Sequence, residues 1–372
     1  MDVKILVIGA GVVGLAVAQA VSKQRGPVLI LEQHPFIGQE TSSHNSEVLH
    51  AGLYYPQGSL KAQLCLEGNE ILRTLHTRIG LPMKLCGKLV VAQAGEEEAL
   101  EALMQKAQNN GVEELRWLSS AEIHQREPHI RAAAAFFSPR TGILDSHALM
   151  RWYLAQAEEQ GAQLVTRTRV TGITRIHGGY EVETDGPDGA FTITSEAVVN
   201  AAGLQADKMA ALVGLDIDRL GYRLAYCRGD YYSTQPRCWS WVRHLIYPVP
   251  SPHLAGLGIH VTLDLAGRMR LGPDTTWLQD DEPLSYRVDD SKRALFAAAV
   301  QRYLPALLPS DLEPELAGIR PKLQRPGTPP RDFVIQEESA RGLPGFVNLV
   351  GIESPGLTAS PAIGRMVASL LK

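Results

Sequence analysis

The sequence predicts an α/β fold: a doubly wound parallel sheet, with an α+β part of antiparallel or mixed sheet interleaved through it. Three observations carry that prediction. Residues 3–8, Val-Lys-Ile-Leu-Val-Ile, form a nearly unbroken apolar run of the kind buried on both faces of a parallel sheet. They lead straight into Gly9-Ala10-Gly11-Val12-Val13-Gly14. A second apolar run, residues 27–32, ends in the carboxylate Glu32, about 20 residues beyond the glycines.

The chain must turn sharply from the first strand into a helix expected over residues 15–22. Gly9 permits the turn, Gly11 lets a pyrophosphate approach the backbone, and Gly14 lets the helix lie close on the strand. The helix amino terminus contributes unpaired N–H groups and the positive end of a dipole, which suits phosphate. Glu32 then accepts hydrogen bonds from a ribose hydroxyl pair. A lone GxGxxG says little, but strand, glycines, helix, second strand and acid in register specify a Rossmann-like dinucleotide-binding start.

Further along, residues 145–160 have a helical pattern. Strands follow at 163–166, 170–176, 180–184 and 191–194, with turns at Gly178-Gly179 and Gly186-Pro187-Asp188-Gly189. Residues 197–203 read as another buried strand ending at Ala202-Gly203, residues 347–351 as a strand turning at Gly351, and residues 362–371 as a helix. The last two bring a late loop, Ser354-Pro355-Gly356-Leu357-Thr358, back to the ligand. The nucleotide-binding domain is therefore expected to be discontinuous, from residues 1–82, 141–208 and 330–372. Residues 83–140 and 209–329, rich in alternating apolar residues and prolines, form the substrate domain.

A formal net charge of −4 with interspersed signs gives no basic footprint for nucleic acid. No apolar run reaches the length of a spanning helix, and Asp2 with a single Lys4 makes a poor secretory leader. A cytoplasmic protein is expected, with peripheral contact at the inner face of a membrane left open. Cys65, Cys86, Cys227 and Cys238 lack the paired spacing of metal or redox motifs, and no HExxH, Walker or GxSxG pattern occurs, so no metal is expected.

A single fingerprint without a later copy argues against successive FAD and NAD folds. Residues 38–46 crowd hydroxyl and amide side chains beside Gly38, which suits phosphate and ribitol, and backbone N–H groups of the late loop suit negative charge on a reduced flavin. FAD is the expected cofactor. Its expected contacts are Gly9, Gly11, Val13, Gly14, Glu32, Gln33, Thr41, Ser42, Ser43, His44, Asn45, Val170, Ala202, Gly203, Gly351, Pro355, Gly356, Leu357 and Thr358.

The blocks His44-Asn45-Ser46, His50-Ala51-Gly52-Leu53-Tyr54-Tyr55-Pro56, Ser59-Leu60-Lys61-Ala62, Arg228-Gly229-Asp230-Tyr231 and Tyr247-Pro248-Val249-Pro250 extend this reading. With the fingerprint, they resemble the L-2-hydroxyglutarate dehydrogenase/oxidase family of the D-amino-acid-oxidase-like flavoproteins. The resemblance spans nearly the whole chain. It implies bound FAD, covalent or not, a sheet-based substrate domain, and oxidation of a 2-hydroxy acid, first of all L-2-hydroxyglutarate. Glu47 stands where that family has glycine, and Ala51 where it has serine. Gly318-Ile319-Arg320-Pro321 and Pro355-Gly356-Leu357-Thr358 look more like the amino-acid oxidase branch, such as glycine oxidase, so oxidation of glycine or a D-amino acid is the second reading. A flavoprotein scaffold or assembly factor without turnover is the third.

Such an oxidation requires an anchor for the α-carboxylate, an acceptor for the hydroxyl proton, and an α-hydrogen aimed at flavin N5. Arg320 is the first candidate clamp, because a guanidinium holds both carboxylate oxygens in one plane. Arg228, flanked by Tyr226 and Tyr231, is the second, with a structural ion bridge as its alternative. His260, in the apolar segment 257–263, and His50 compete for the base. Tyr54 and Tyr247 are candidates to orient substrate through their hydroxyls, and Lys61 is expected to be solvated. The electron acceptor (oxygen, a quinone or another flavoprotein) stays open.

Overall fold

The computed structural model describes residues 1–250, 257–280 and 282–371. The chain divides into two compact units: Met1–Ser43, Ser146–Tyr226 and Arg320–Lys372 form the first, and His44–Asp145 with Cys227–Ile319 form the second. Residues 44–82 thus fall in the second unit, where the sequence had placed them with the nucleotide-binding part. The reason lies in the helix Leu60–Ile79. Ser59 caps it by accepting the Ala62 N–H at 3.2 Å. Its inner face, Lys61, Leu64, Cys65, Gly68, Asn69 and Leu72, repeats at helical spacing. Asn69 Nδ2 donates to the carbonyls of His50 (2.8 Å) and Arg140 (2.9 Å), and Leu66 packs on the second unit's apolar cluster. Lys61 lies on the buried face, 8% exposed, rather than in solvent.

Among the described residues, the first unit is built on an eight-stranded sheet. Its centre is β1 (Val3–Ile8), which pairs in parallel with β2 (Val28–Leu31) on one side and with the end of the strand Gly189–Asn200 on the other. Gln163–Val165 extends the parallel ladder beyond β2, and Leu343–Val350 pairs in parallel with Gly189–Asn200. The two expected strands 191–194 and 197–203 are one strand. Its polar first half pairs antiparallel with Gly179–Gly186, and its apolar second half turns to parallel partners without a break. Alternation in the exposed half and continuous apolarity in the buried half make one strand read as two.

The helix α1 (Val12–Arg25) starts three residues earlier than expected, so Gly14 lies in its first turn. The last helix runs Gly356–Leu370, six residues earlier than expected, with Pro361 inside it. Proline lacks the N–H that would reach Leu357 O, and the Ser360 hydroxyl donates to that carbonyl instead, at 2.9 Å. The segment read as a late loop is therefore the opening turn of a helix. Gly364 lets this helix sit against α1, since a Cβ there would lie 2.5 Å from Ala16 O.

In the second unit, a sheet of nine strands among the described residues runs through Thr276–Trp277, Ala225–Thr234, Met269–Leu271, Val261–Leu263, Leu245–Pro248, Lys88–Ala92, Ala134–Ser138 and Arg116–Ser119, with Leu312–Lys322 also paired to Ala225–Thr234. It is mixed, because Leu245–Pro248 and Lys88–Ala92 run parallel. One face buries Tyr232, Phe296, Val300 and Leu304 in a continuous core.

Candidate active site

In the first unit, the expected cofactor residues gather at one edge. β1, β2, Gly189–Asn200 and Leu343–Val350 are mutually parallel, and the register aligns Ile8 with Leu31 and Asn200, and Asn200 with Asn348. Their carboxyl ends therefore deliver Gly9, Glu32, Ala202-Gly203 and Gly351 to the same side, the edge where open α/β sheets bind ligands. A buried network fixes two of those ends. Asn200 Nδ2 donates to Asn348 Oδ1 (2.8 Å) and Ala206 O (2.7 Å), and Asn348 Nδ2 donates to Glu338 Oε1 (2.9 Å).

Gly9 has φ +103°, and a Cβ on it would lie 2.5 Å from Ala201 O. A Cβ on Gly14 would lie 2.0 Å from Gly9 O, so the glycine is required by helix packing. Gly11 is different. Its backbone is extended, and its Cβ would meet only Ser42 Oγ, at 3.0 Å. Here the empty volume faces outward, beside a helix end.

That helix end suits an anion. α1 has no acidic residue in its first turn, and its N-cap Gly11 provides no side-chain bond. The helix Gly356–Leu370 likewise opens without an acidic residue or a capping side chain, and Pro355, Gly356, Leu357 and Thr358 form its start. Glu32 is 7% exposed; its Oε2 accepts the Ala10 N–H and its Oε1 the His34 N–H, both at 2.8 Å. Each oxygen keeps a lone pair for a ribose hydroxyl. The glycine turn is itself braced, for Gly38 N–H donates to Ala10 O at 3.1 Å, Ser43 Oγ donates to Gly38 O, and Val12 N–H donates to Ser42 Oγ at 2.9 Å. Gln33 lines an adjacent open depression with His34, Arg167 and Arg169. The two helix starts, free of acidic residues, and the Glu32 carboxylate fit a dinucleotide such as FAD.

His44 and Asn45 belong to the second unit, where the His44 ring stacks on Tyr286 at 4.1 Å and Asn45 Oδ1 accepts the Glu47 N–H at 2.7 Å. Glu47 has φ +53°, a conformation that favours the glycine found there in the resembling family. The Val170 side chain is packed in the core with Leu6, Ile8 and Leu31, which leaves its backbone for any ligand contact.

The second unit brings four of the expected side chains together around a residue that sequence reasoning missed. The register pairs Ile246 with Val261, so one step further Tyr247 faces His260, and their rings stack at 3.7 Å. It also pairs Leu245 with Lys88, which puts Lys88 diagonal to Tyr247 on the same sheet face. The Lys88 Nζ lies 3.6 Å from the Tyr247 ring centroid and 5.3 Å from that of Tyr54. Since His260 and Lys88 are both within 4 Å of the Tyr247 centroid, they occupy opposite faces of the ring.

His260 Nδ1 lies 2.8 Å from Gly258 O, so that nitrogen carries the hydrogen and Nε2 is the ring's acceptor. Burial pushes the phenols of Tyr54 and Tyr247 up, the Cys65 thiol up to about 12, and Lys88 down to about 7. Burial first, then repulsion from Lys88 and His260, holds His50 well below the usual histidine range. The signal for Lys88 was present in sequence: a lysine at the head of the otherwise apolar run Leu89-Val90-Val91-Ala92.

Arg228 is held in an ion-pair cluster. Its Nη2 lies 2.7 Å from Asp230 Oδ1, and Lys292 Nζ lies 2.7 Å from both Asp230 Oδ2 and Asp274 Oδ2. Two cations and two carboxylates balance, so this cluster offers no net charge to an acid. Arg320 lies half-buried near the end of Leu312–Lys322.

Among the described residues, no group of acidic, histidine and cysteine side chains is arranged to hold a metal, and no helix is long and apolar enough to cross a membrane. None of the four cysteines is joined in a disulfide.

Comparison with known proteins adds three findings. Residues 4–370 match the family model described as FAD dependent oxidoreductase. The chain is 39% identical over 403 aligned residues to the mitochondrial L-2-hydroxyglutarate dehydrogenase of Arabidopsis thaliana, covering 98% of this chain and 82% of that protein. The human protein of the same description is 31% identical over 408 residues, with 98% and 87% covered. Among solved structures, the dithionite-reduced, FAD-bound L-alpha-glycerophosphate oxidase of Mycoplasma pneumoniae superimposes with a TM-score of 0.87 at 28% identity, covering 99% of this chain and 94% of that one.

Proposed function

The chain belongs to the FAD-dependent oxidoreductases, and within them to the L-2-hydroxyglutarate dehydrogenase group; from that premise we propose that it oxidises L-2-hydroxyglutarate to the 2-oxo acid. FAD, when bound, supplies the two-electron acceptor for the hydride lost from the substrate carbon. We assign its diphosphate to the amino terminus of α1 and its ribose to Glu32, with the start of the helix Gly356–Leu370 contributing further N–H groups. These assignments rest on helix starts with no acidic residue and no N-cap side-chain bond, and on the lone pairs left on Glu32.

The substrate hydroxyl must lose a proton as its carbon loses hydride, and an imidazole accepts it. His50 is one candidate, because burial, with Lys88 and His260 nearby, holds its imidazole well below the usual histidine range. His260 is the second, with Nε2 as its acceptor nitrogen. Arg320 is the proposed clamp for the α-carboxylate, whereas Arg228 is already balanced by Asp230. We further propose a cytoplasmic location, with peripheral contact at the inner face of a membrane left open, and an acceptor drawn from oxygen, a quinone or another flavoprotein.

The observation that carries the substrate assignment is the full-length likeness to the hydroxyglutarate dehydrogenases. Anaerobic mixing of the flavoprotein with L-2-hydroxyglutarate, its D-enantiomer, glycine and D-amino acids tests it. Bleaching of the flavin by the L-hydroxy acid alone is expected. Bleaching by glycine or D-amino acids instead assigns the enzyme to the amino-acid oxidases, and a flavin that no acid reduces assigns it to the scaffolds. Arg320→Lys should raise KM for the acid with FAD content unchanged.

A further inference from the structure

We propose that Lys88 and Tyr54 form the seat for the far carboxylate of a 2-hydroxy diacid, and so select the diacid over a 2-hydroxy acid that carries a single carboxylate. The proposal rests on the reading of this chain as a 2-hydroxy acid dehydrogenase, and adds the groups that recognise the second acid.

Lys88 is 1% exposed, at the head of a strand whose five residues are all buried. Burying an ammonium is costly unless an anion or a set of acceptors replaces its water. Elsewhere the fold supplies that partner: Lys322 Nζ lies 2.8 Å from Glu353 Oε2, and Arg228 Nη2 lies 2.7 Å from Asp230 Oδ1. Lys88 has no such partner among the described residues. Its Nζ makes no ion pair or side-chain hydrogen bond there, and meets instead the rings of Tyr247 at 3.6 Å and Tyr54 at 5.3 Å. The ionisable groups that bear on it, Cys65 and Cys86, are thiols rather than carboxylates. Ring faces attract a cation, but they leave the N–H donors of an ammonium without a full set of acceptors.

A second unfilled donor stands beside the first. The Tyr54 Oη is buried without a hydrogen-bond partner among the described residues, while the Tyr54 backbone is held by Lys106 Nζ, which donates to its carbonyl at 2.8 Å. The Tyr54 and Tyr247 rings lie 21° from parallel with centroids 6.4 Å apart, so the ammonium rests against both. A buried polar group left unsatisfied calls for an occupant. One carboxylate meets both deficits, because its two oxygens accept separately, from the ammonium and from the phenol, and its charge cancels that of Lys88. Water or a neutral amide fills the donors and leaves the charge.

The cluster also suits the length of such an acid. Lys88 Nζ and the His260 ring lie on opposite faces of Tyr247, at 3.6 Å and 3.7 Å from its centre. A short diacid running past the edge of that ring reaches His260, one of the two proposed proton acceptors, with its hydroxyl and Lys88 with its far carboxylate.

The test uses the FAD-loaded full chain and two acids of equal chain length, L-2-hydroxyglutarate and L-2-hydroxypentanoate, the second lacking only the far carboxylate. Anaerobic flavin reduction gives a limiting rate and a half-saturation concentration for each. The unmodified chain should prefer the diacid at least about tenfold, the worth of one hydrogen bond to a charged group. Lys88→Met should abolish that preference by raising the half-saturation concentration for the diacid, and Lys88→Arg should restore part of it. Tyr54→Phe should lower the preference while its urea melt is no weaker than that of the unmodified chain, since the hydroxyl removed had no partner to lose. A preference that survives Lys88→Met overturns the inference, and so does an equal loss with both acids, which makes Lys88 a packing residue. If Lys88→Met does not fold, Tyr54→Phe decides, and an unchanged preference there overturns the shared seat. A flavin reduced by neither acid removes the proposed function and this inference with it, whereas reduction of the unmodified chain by both acids equally well removes the inference alone.

Discussion

Gly11 and Gly14 stand three residues apart in one motif, yet the structure gives them different tasks that a pair of alanine variants separates. At Gly14 the new Cβ would lie 2.0 Å from Gly9 O, a backbone atom that cannot rotate away. Helix and turn must part by about 1.4 Å to reach ordinary contact, and overpacking of this kind costs about 1–3 kcal/mol. At Gly11 the Cβ would meet only the flexible Ser42 Oγ, at 3.0 Å, and the backbone there is already extended. The apoprotein should lose no more than the Ser42–Val12 hydrogen bond, about 1 kcal/mol. The methyl group would, however, stand where a diphosphate approaches the N–H groups of α1. Weakening even one charge-assisted hydrogen bond there, at about 1.5–3 kcal/mol, lowers FAD affinity at least about tenfold. Urea melts of the apoprotein and quenching of FAD fluorescence measure the two effects. Gly14→Ala should lose stability and FAD together, and Gly11→Ala should lose FAD alone. Wild-type FAD affinity in Gly11→Ala would refute the placement of the diphosphate.

Glu32→Gln keeps one acceptor oxygen and turns a donor toward a backbone N–H, so apoprotein urea melts should show a loss of about 1–3 kcal/mol, together with weaker FAD binding. Arg228→Met leaves the fully buried Asp230 short of a cation and should cost about 3–5 kcal/mol while KM for the acid holds; a raised KM with an unchanged melt would make Arg228 a substrate anchor after all. Lys88 gives a pH signature. Its folded value is depressed from 10.5 to about 7, so across pH 7–10.5 the unfolded chain binds more protons and stability rises with pH, by up to about 1.4 kcal/mol per unit. Cys65, raised from 9.0 to about 12, opposes this only above pH 9, so urea melts between pH 7 and 9 should show the slope in the unmodified chain and its loss in Lys88→Met, and equal slopes would count against a buried ammonium.

The fold was most legible where one local pattern decides it. β1, the glycine turn, α1, β2 and Glu32 follow from apolar runs and glycine spacing, because a buried parallel strand and the helix after it are specified by adjacent residues. Long-range pairing hid other features. The strand Gly189–Asn200 changes partners halfway, and no window of sequence shows that both halves share one backbone ladder. Residues 44–82 were misplaced because their partners, such as Arg140 O, lie far along the chain. Of the candidate residues, Gly9, Glu32 and Gly351 share one strand edge of the first unit, while His44 and Asn45 fall in the second unit and the Val170 side chain packs in the core. Charge was the least legible property. Arg228 is balanced by Asp230 two residues away, but that carboxylate is shared with Lys292, which also binds Asp274, and no spacing rule predicts such a cluster.

The two halves of the proposed chemistry therefore differ in how they tolerate change. The cofactor cradle is made largely of backbone: N–H groups at two helix starts, a turn fixed by glycine, and a carboxylate whose oxygens are held by main-chain donors. Neighbouring side chains can vary there without altering the donors. The proposed proton-accepting cluster is made of side chains packed on one another, Lys88 and His260 on the Tyr247 ring, so a substitution at any of these three disturbs its neighbours. Divergence among relatives that share this cofactor should accordingly concentrate in the second unit. The departures already visible at Glu47 and Ala51 lie in that unit, on the segment that leads to and from His50.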